Sequence, residues 1–507
     1  MDTMTFTGLA RALDTAGILR AATAGADDVR VHGAACDSRA VAPGDVFVCK
    51  GAAFRPAFLT SALAAGAVAY LCDESRADEL AALAPDAPAL VTSDLRRAMA
   101  IVSAEAFGRP DRALPLVGIT GTKGKTTTAY LLRSILDAWH GFGSCGMIGT
   151  VETYDGVEDG PSRNTTPEAP DLWRHLAHAR TSGLDALVME VSSQALKYDR
   201  TLGVELDVAC FLNIGLDHIS AVEHADFEDY FTSKLKIFSQ GRTAVVNLDT
   251  DHADRVLAAA RASGRTLTFG VGRPEADAWA DDLAATEEGI SFTLHLDGWE
   301  RRVSLPFPGE FSVSNALCAA LAAHLLGAGA DDIVRGLERT RVPGRMEFYR
   351  TADRQVTAIV DYAHNRLAFD SLLSAVAGTF AGARVIAVFG AVGGKAEERR
   401  RDLPEVAARY ADYLIFTTDD PWTEDPLDIC HEMERAIPEG FPHEIVLDRE
   451  EAVARAFELA APQRSVVLLL AKGSDATQHM ATGFVPCATD SELAAAGVAA
   501  YDRAHAV

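Results

Sequence analysis

The chain has 507 residues, 48% of them hydrophobic, with 47 basic against 72 acidic side chains and a formal charge of -25. That length exceeds one hydrophobic core and implies two to four domains. The acidic balance leaves no electrostatic footprint for nucleic acid or an anionic membrane, so neither is expected as a partner, and any phosphorylated substrate must be held by local donors.

The N-terminal run MDTMTFTGLARAL lacks a basic region followed by a sustained apolar stretch, and no later stretch approaches 18 uninterrupted apolar residues. Eight scattered cysteines with no CxxC pair read as free thiols in a reducing compartment. A soluble, cytoplasmic monomer is the expectation. Residues 1–110 alternate short β-like runs, GDVFVCK and AVAYLCD, with the alanine-rich helical stretch AFLTSALAAGA, which predicts a small α/β domain. From 111 the apolar run LPLVGITG delivers a glycine-rich turn, and LDALVMEVSS, VACFLNIG and TAVVNLD follow as further strands of a mostly parallel sheet. Residues 290–307 predict a short antiparallel excursion, and VSNALCAALAAHLL a buried helix. Pro343 and Gly344 interrupt both periodicities and mark a hinge. Beyond it VTAIVDYA, ARVIAVFGA, ADYLIFTTDD and RSVVLLLAKG predict another α/β domain. The working division is 1–110, 111–340 and 341–507.

The turn GITGTKGKT places Gly118, Gly121 and Gly124 at a strand end, followed by Lys125 and Thr126. Glycines let backbone N–H groups approach phosphate oxygens, the following helix adds partial positive charge, Lys125 can reach the β and γ phosphates, and the Thr126 hydroxyl can ligate magnesium. This predicts a nucleoside triphosphate site, although the spacing is not the common GxxxxGKT. Glu190 and Ser192 follow one strand, Asp217 and His218 another, where parallel-sheet enzymes collect ligands. Glu190 and His218 could join Thr126 on magnesium. Lys234 and Lys236 in YFTSKLKIF cannot both face inward on a helix, so at most one is functional.

Taken together, DSRAVAPGDVFVCKG, GITGTKGKTTT, NTTPEAP, MEVSSQAL, FLNIGLDH, YFTSKLKIF, FPGEFSVSNALCA, VPGRME, VDYAH, TTDDPWTEDP and AKGSDATQ resemble the Mur ligase family, in the branch that adds the third residue of the peptidoglycan stem peptide. The resemblance implies three α/β domains: one for the uridine nucleotide, a central P-loop ATPase, and a Rossmann-like C-terminal domain that brings in the amino acid. It implies an ATP- and Mg2+-dependent ligase that phosphorylates the D-glutamyl carboxylate of UDP-N-acetylmuramoyl-L-alanyl-D-glutamate and lets the amine of a free diamino acid displace phosphate. Ser38 then matches the uridine contact; Gly121, Thr122, Gly124, Lys125, Thr126 and Thr127 the ATP loop; Glu190 and His218 the magnesium ligands. Lys234 matches a lysine carbamylated in this family, which as an anion helps position metal. Thr165, Thr166, Ser192 and Arg200 match contacts to the muramoyl dipeptide, and Asn315, Arg345, Asp361 and His364 the nucleotide side of the central and C-terminal domains.

The chain departs from the family where relatives adding meso-diaminopimelate read DNPR and their arginine meets the distal carboxylate. Here Asp419, Asp420, Pro421 and Trp422 stand in that place. Losing the guanidinium fork and gaining a carboxylate suits a cation instead. L-Lysine is the expected acceptor, L-ornithine its neighbour, and meso-diaminopimelate an alternative if Lys395, Arg399, Arg400 or Arg401 supplies the missing cation. A nucleotide-binding homologue without this catalysis is the reading from another class.

Overall fold

The computed structural model describes residues 4–215 and 223–505. It divides into two compact units, the first Met1–Trp279, Leu296–Trp299 and Ala316–Gly336, the second Ala280–His295, Glu300–Asn315 and Leu337–Val507.

The first unit contains two large sheets, besides a short antiparallel pairing of Met4–Thr5 with Arg30–Val31. Near the N-terminus the strand order is Leu19–Ala22, Ala89–Thr92, Ala69–Asp73, Asp45–Val48, Gly33–Ala35, parallel except for the first pair. Both faces are covered, which is why apolar residues run consecutively rather than alternating. Val46 and Val48 join the main core beside Leu9 and Val102 of helices Phe6–Thr15 and Leu95–Ala106. Phe47 and Cys49 join a second cluster with Leu59 and Ala62 of helix Pro56–Ala64.

The second sheet runs Cys145–Ile148, Ala186–Glu190, Leu116–Thr120, Leu206–Phe211, Gly241–Asn247, Arg265–Val271, all parallel. A hairpin of Glu152–Tyr154 and Asp159–Pro161 adds antiparallel strands beside Cys145–Ile148. From Leu116–Thr120 the chain moves two places to one side, returns to the adjacent position, then crosses to Leu206–Phe211 on the other. The glycine-rich turn therefore leaves the sheet at its topological switch point, where open α/β sheets bind ligands.

In the second unit, six strands are ordered Glu347–Arg350, Val356–Asp361, Ser465–Leu470, Arg384–Phe389, Tyr413–Phe416, His443–Ile445, parallel except for the first pair. Val360, Val388 and Leu469 pack on Ala456 and Phe457 of helix Arg449–Ala460 and on Tyr501 of helix Asp490–His505. On the opposite face Phe389 meets Phe369 edge to face at 5.1 Å. The last strand, Ser465–Leu470, inserts beside the first parallel one, so this sheet has its own switch point. The antiparallel excursion is longer than expected: Ala278–Thr286, Gly289–Leu296 and Trp299–Leu305.

All eight cysteines are free thiols, six of them buried. Among the described residues no helix is long and apolar enough to cross a membrane.

One buried ion pair fastens the second unit. Arg449 donates to both carboxylate oxygens of Asp490, at 2.6 and 2.7 Å, and to the Leu470 carbonyl at 2.8 Å; Asp490 also accepts the Gly473 N–H at 3.1 Å. Asp490→Ala leaves a guanidinium buried without its anion, an expected loss of about 3–5 kcal/mol, read by calorimetry as a lowered transition for this unit.

Candidate functional site

The buried strand Leu116–Thr120 hands the chain to the turn. A Cβ on Gly121 would lie 2.9 Å from that of Leu212, and Gly124, at φ +86°, starts helix Lys125–His140 without a side-chain cap. Among the described residues no side chain caps the first N–H groups of the helix, an arrangement that favours an anion. Asn213 braces the turn: its Oδ1 accepts the Lys123 N–H at 2.9 Å and its Nδ2 donates to the Lys123 carbonyl at 3.1 Å. Thr122 Oγ1 accepts the Gly215 N–H and lies against the Tyr230 hydroxyl, both at 3.0 Å. Lys125 Nζ donates to the Gly121 carbonyl at 2.9 Å. Thr127 is half-buried on the same helix turn.

Glu190 ends its strand only 1% exposed. Its carboxylate accepts from the Thr126 hydroxyl at 3.0 and 3.1 Å, and from the Thr150 N–H and hydroxyl at 2.8 and 3.0 Å. Thr150 Oγ1 lies 3.0 Å from Thr165 Oγ1. Thr166 donates its hydroxyl to the Glu190 carbonyl at 2.8 Å and accepts the Ser192 N–H at 3.0 Å. Arg200 donates to the Thr166 carbonyl at 3.1 Å and pairs at 3.0 Å with Glu168, which Lys50 meets at 2.6 Å. Thr126, Thr165, Thr166, Glu190, Ser192 and Arg200 therefore form one network. The donors recorded on this buried carboxylate are neutral, an environment that a hard divalent cation completes, so Thr126 and Glu190 fit magnesium.

Lys234 is 1% exposed, donates to the Gly121 carbonyl at 2.9 Å and stands 4.7 Å from the Tyr230 ring centre, while Lys236 is exposed. Of the two lysines, Lys234 faces inward. Ser38 lies outside this network, half-buried in the turn after strand Gly33–Ala35. Asp217 and His218 fall outside the described residues.

The second unit gathers its own polar residues beyond strand ends. Asp361 accepts the N–H groups of Met346 and Ala363 at 2.9 and 2.7 Å. The Arg345 guanidinium covers the Tyr362 ring at 4.3 Å, and His364 Nδ1 lies 2.7 Å from the Tyr362 carbonyl. Asn315 is buried in helix Glu310–Leu326. Nearby in the same unit, Asp420 meets the buried Lys472 at 3.0 Å and accepts the His479 N–H at 3.1 Å. Burial, opposed by Lys472 and reinforced by Asp420, pushes the Asp419 carboxyl from 3.8 up to about 6. Burial likewise raises Asp475, again opposed first by Lys472. Asp419, Asp420 and Asp475 gather around Lys472, with Arg449 also acting on Asp419 and Arg345 on Asp475, which makes an acidic cluster threaded by cations.

Trp422 adopts φ +54°, an unusual backbone for a bulky residue, held by its N–H to the His479 carbonyl at 2.8 Å. Its indole stacks on His479 at 5.9 Å and lies across Gly394, where a Cβ would approach the ring to 2.2 Å. This joins the Asp419–Trp422 segment to the loop that carries Lys395, Arg399, Arg400 and Arg401. Of the four cations on that loop, Arg400 is buried and bonded to Glu424 and Glu432, and Arg401 is bonded to Asp402.

Two family models match the chain: the Mur ligase middle domain over residues 119–323, and the Mur ligase glutamate ligase domain over residues 344–473. The chain belongs to the Mur ligase family. This ligase is 35% identical over 464 residues to the UDP-N-acetylmuramoyl-L-alanyl-D-glutamate--L-lysine ligase of Enterococcus faecalis, covering 91% of this chain and 90% of that one. It is 36% identical over 479 residues to the UDP-N-acetylmuramyl-tripeptide synthetase of Lactobacillus delbrueckii subsp. bulgaricus, covering 90% and 91%. A solved UDP-N-acetylmuramoyl-L-alanyl-D-glutamate--2,6-diaminopimelate ligase superposes with a TM-score of 0.66 at 26% identity, covering 99% of both chains. As a Mur ligase, the protein is an ATP-dependent ligase that forms amide bonds.

Sequence reasoning assigned no role to Asn213, Thr150, Tyr230 or Asp475. Asn213, Tyr230 and Asp475 sit in quoted motifs and Thr150 in none; Asn213, Thr150 and Tyr230 meet partners distant in sequence, Asn213 and Lys123 lying 90 residues apart. Asn213→Leu removes both braces from the turn. Nucleotide binding is expected to weaken by about 1–3 kcal/mol, roughly tenfold or more, with the circular dichroism spectrum unchanged; undiminished affinity in a calorimetric titration would show that the turn holds its shape without it.

Proposed function

We propose that this ligase joins L-lysine to the D-glutamyl carboxylate of UDP-N-acetylmuramoyl-L-alanyl-D-glutamate, through an acyl phosphate, in peptidoglycan precursor synthesis. The observation that carries the choice of lysine is the acidic cluster of the buried Asp419 with the half-buried Asp420 and Asp475. A side-chain ammonium neutralises it, whereas a distal carboxylate meets like charge. The lysine-adding relative supports the same reading. The substrates are small and soluble, so this reading needs neither a membrane contact nor a second copy of the chain, and it describes a cytoplasmic monomer divided at 1–110, 111–340 and 341–507.

A carboxylate has a poor leaving group and repels nucleophiles. Transfer of the γ-phosphoryl of ATP breaks its bond to the ADP oxygen and forms one to a D-glutamyl carboxylate oxygen. The α-amine of the acceptor then attacks the acyl carbon, loses a proton, and expels phosphate. In our reading the N–H groups of Gly121–Lys125, the Lys125 ammonium and Thr127 hold the phosphates. Thr126 and Glu190, with His218 and Lys234 as its carbamate, would hold magnesium, which supplies charge neutralisation at the transferred phosphoryl when bound. The carbamate assignment rests on the match of Lys234 to the lysine carbamylated in this family. Thr165, Thr166, Ser192 and Arg200 orient the dipeptide, and Ser38 meets the uridine end. Asn315, Arg345, Asp361 and His364 serve the nucleotide.

Purified protein with ATP, magnesium and the UDP-muramoyl dipeptide is expected to release phosphate and form product with L-lysine, less with L-ornithine, and little with meso-diaminopimelate or D-alanyl-D-alanine. Preferential use of diaminopimelate would move the search for its partner to Lys395 and Arg399.

The pocket should also sense pH. Because the folded value of Asp419 lies above its ordinary 3.8, the folded protein holds a proton that the unfolded chain has released. The stability this contributes is complete below 3.8 and lost as pH rises to about 6. A bound cation favours the ionised form, so L-lysine affinity is expected to rise as pH climbs from about 5 to about 7, with proton release visible in buffers of different ionisation enthalpy. In Asp419→Asn that slope should vanish; a slope that survives would assign it to another group.

A further inference from the structure

Helix Ala169–Thr181 and the hairpin of Glu152–Tyr154 and Asp159–Pro161 meet at four side chains that the ligation does not use. Asp155 is fully buried. One of its oxygens accepts the N–H groups of Val157 and Glu158 at 2.9 and 2.7 Å, which fixes the carboxylate in place. The other lies 2.7 Å from Nδ1 of His175 and 2.9 Å from Nδ1 of His178. Three residues apart on one helix, the two histidines share a face, and their rings stand at 84° to one another. Two nitrogens thus approach one carboxylate oxygen from different directions. Glu158 closes the group, its Oε1 3.9 Å from His178 Nδ1, and the four donor atoms all lie within 4.8 Å of one another.

We propose that Asp155, Glu158, His175 and His178 form a binding site for a divalent transition-series cation of the zinc type, which clamps the hairpin to the helix. Two imidazole nitrogens and two carboxylate oxygens are a borderline donor set that suits zinc and is poor for magnesium, whose ligands are oxygens in octahedral array. The site is therefore distinct in chemistry from the one at Glu190. Tetrahedral bonds of about 2.0–2.1 Å put donors roughly 3.3 Å apart, so the two His–Asp separations open by about half an ångström on binding. Each neutral imidazole moves its proton from Nδ1 to Nε2, leaving Nδ1 free to ligate, and no net proton is lost. Asp155 and His175 make the floor, while His178 and Glu158 stand at the rim with 27% and 46% of their side chains exposed, giving an ion a way in. Arg174 also bonds Glu158 and competes for the fourth ligand. The chain between hairpin and helix carries Thr165 and Thr166, so the clamp fixes both ends of a segment that reaches Glu190.

The test is a zinc titration of nucleotide-free protein against a chromophoric indicator, in excess magnesium to occupy sites made of oxygen alone. One equivalent of zinc is expected to bind in competition with the indicator and to raise the thermal midpoint. His178→Gln, a change at the rim that spares the buried floor, should weaken binding by at least roughly tenfold and abolish the thermal shift. Glu190→Gln should leave both unchanged. No competition from the unaltered protein, or full-strength binding retained in both His175→Gln and His178→Gln, would overturn the proposal and leave Asp155 as a hydrogen-bonded latch.

Discussion

The glycine-turn end of the first unit depends on one buried glutamate. A carboxylate removed from water is costly unless its oxygens find donors, and Glu190 draws two separate segments to its carboxylate and a third to its main-chain carbonyl. Thr126 arrives on the helix that follows the glycine turn, Thr150 after the Cys145–Ile148 strand, and Thr166 from the approach to the next helix. The constraint reaches further: a Cβ on Gly149 would stand 2.7 Å from Glu190 Oε1 and push on the carboxylate that Thr150 meets with its N–H. Moving Thr126 or Thr150 uncovers the charge, and Thr166 holds the strand end that carries it, which makes the geometry stiff before any substrate arrives. Preorganisation of this kind is what an electrostatic contribution to catalysis requires.

The same economy of donors appears in the glycine turn. Gly121 offers its carbonyl to both Lys125 and Lys234 at 2.9 Å, so two amines are held against the mouth of the loop by one oxygen. Lys234 comes from a helix more than a hundred residues away, and Tyr230, one turn earlier, fixes Thr122. One helical face of YFTSKLKIF thus serves the loop twice, through positions four apart that lie one above the other.

What the sequence made legible was local. A strand, three glycines, a lysine and a threonine in a row carry their own physics, and the turn folds as that pattern implies. Periodicity narrowed Lys234 and Lys236 to one inward residue, but only the contacts of Lys234 with the Tyr230 ring and the Gly121 carbonyl decide which. Asn213, Thr150 and Asp475 were not assigned because a polar residue at a strand end has the same local signature whether it braces a loop or faces water. The hairpin at Asp159–Pro161 is three residues with glycine and proline in it, too short for any alternation to register. Its histidine partners lie on a helix whose sequence gives no hint that a carboxylate waits across from them.

The acceptor pocket shows how far charge outweighs size in such a choice. One methylene separates lysine from ornithine and is worth about 1–3 kcal/mol at most. A distal carboxylate placed near an ionised Asp419 is a different matter: like charges at roughly 4 Å repel by about 4 kcal/mol at the effective dielectric of a protein surface, a factor near a thousand. Arg400, which might have relieved that repulsion, is spent on Glu424 and Glu432, and the strained backbone at Trp422 keeps an indole where a guanidinium would be needed. On the proposed reading, exclusion of an anionic side chain would come from electrostatics, while discrimination between two cationic ones would rest on the smaller energies of fit against Trp422 and its neighbours.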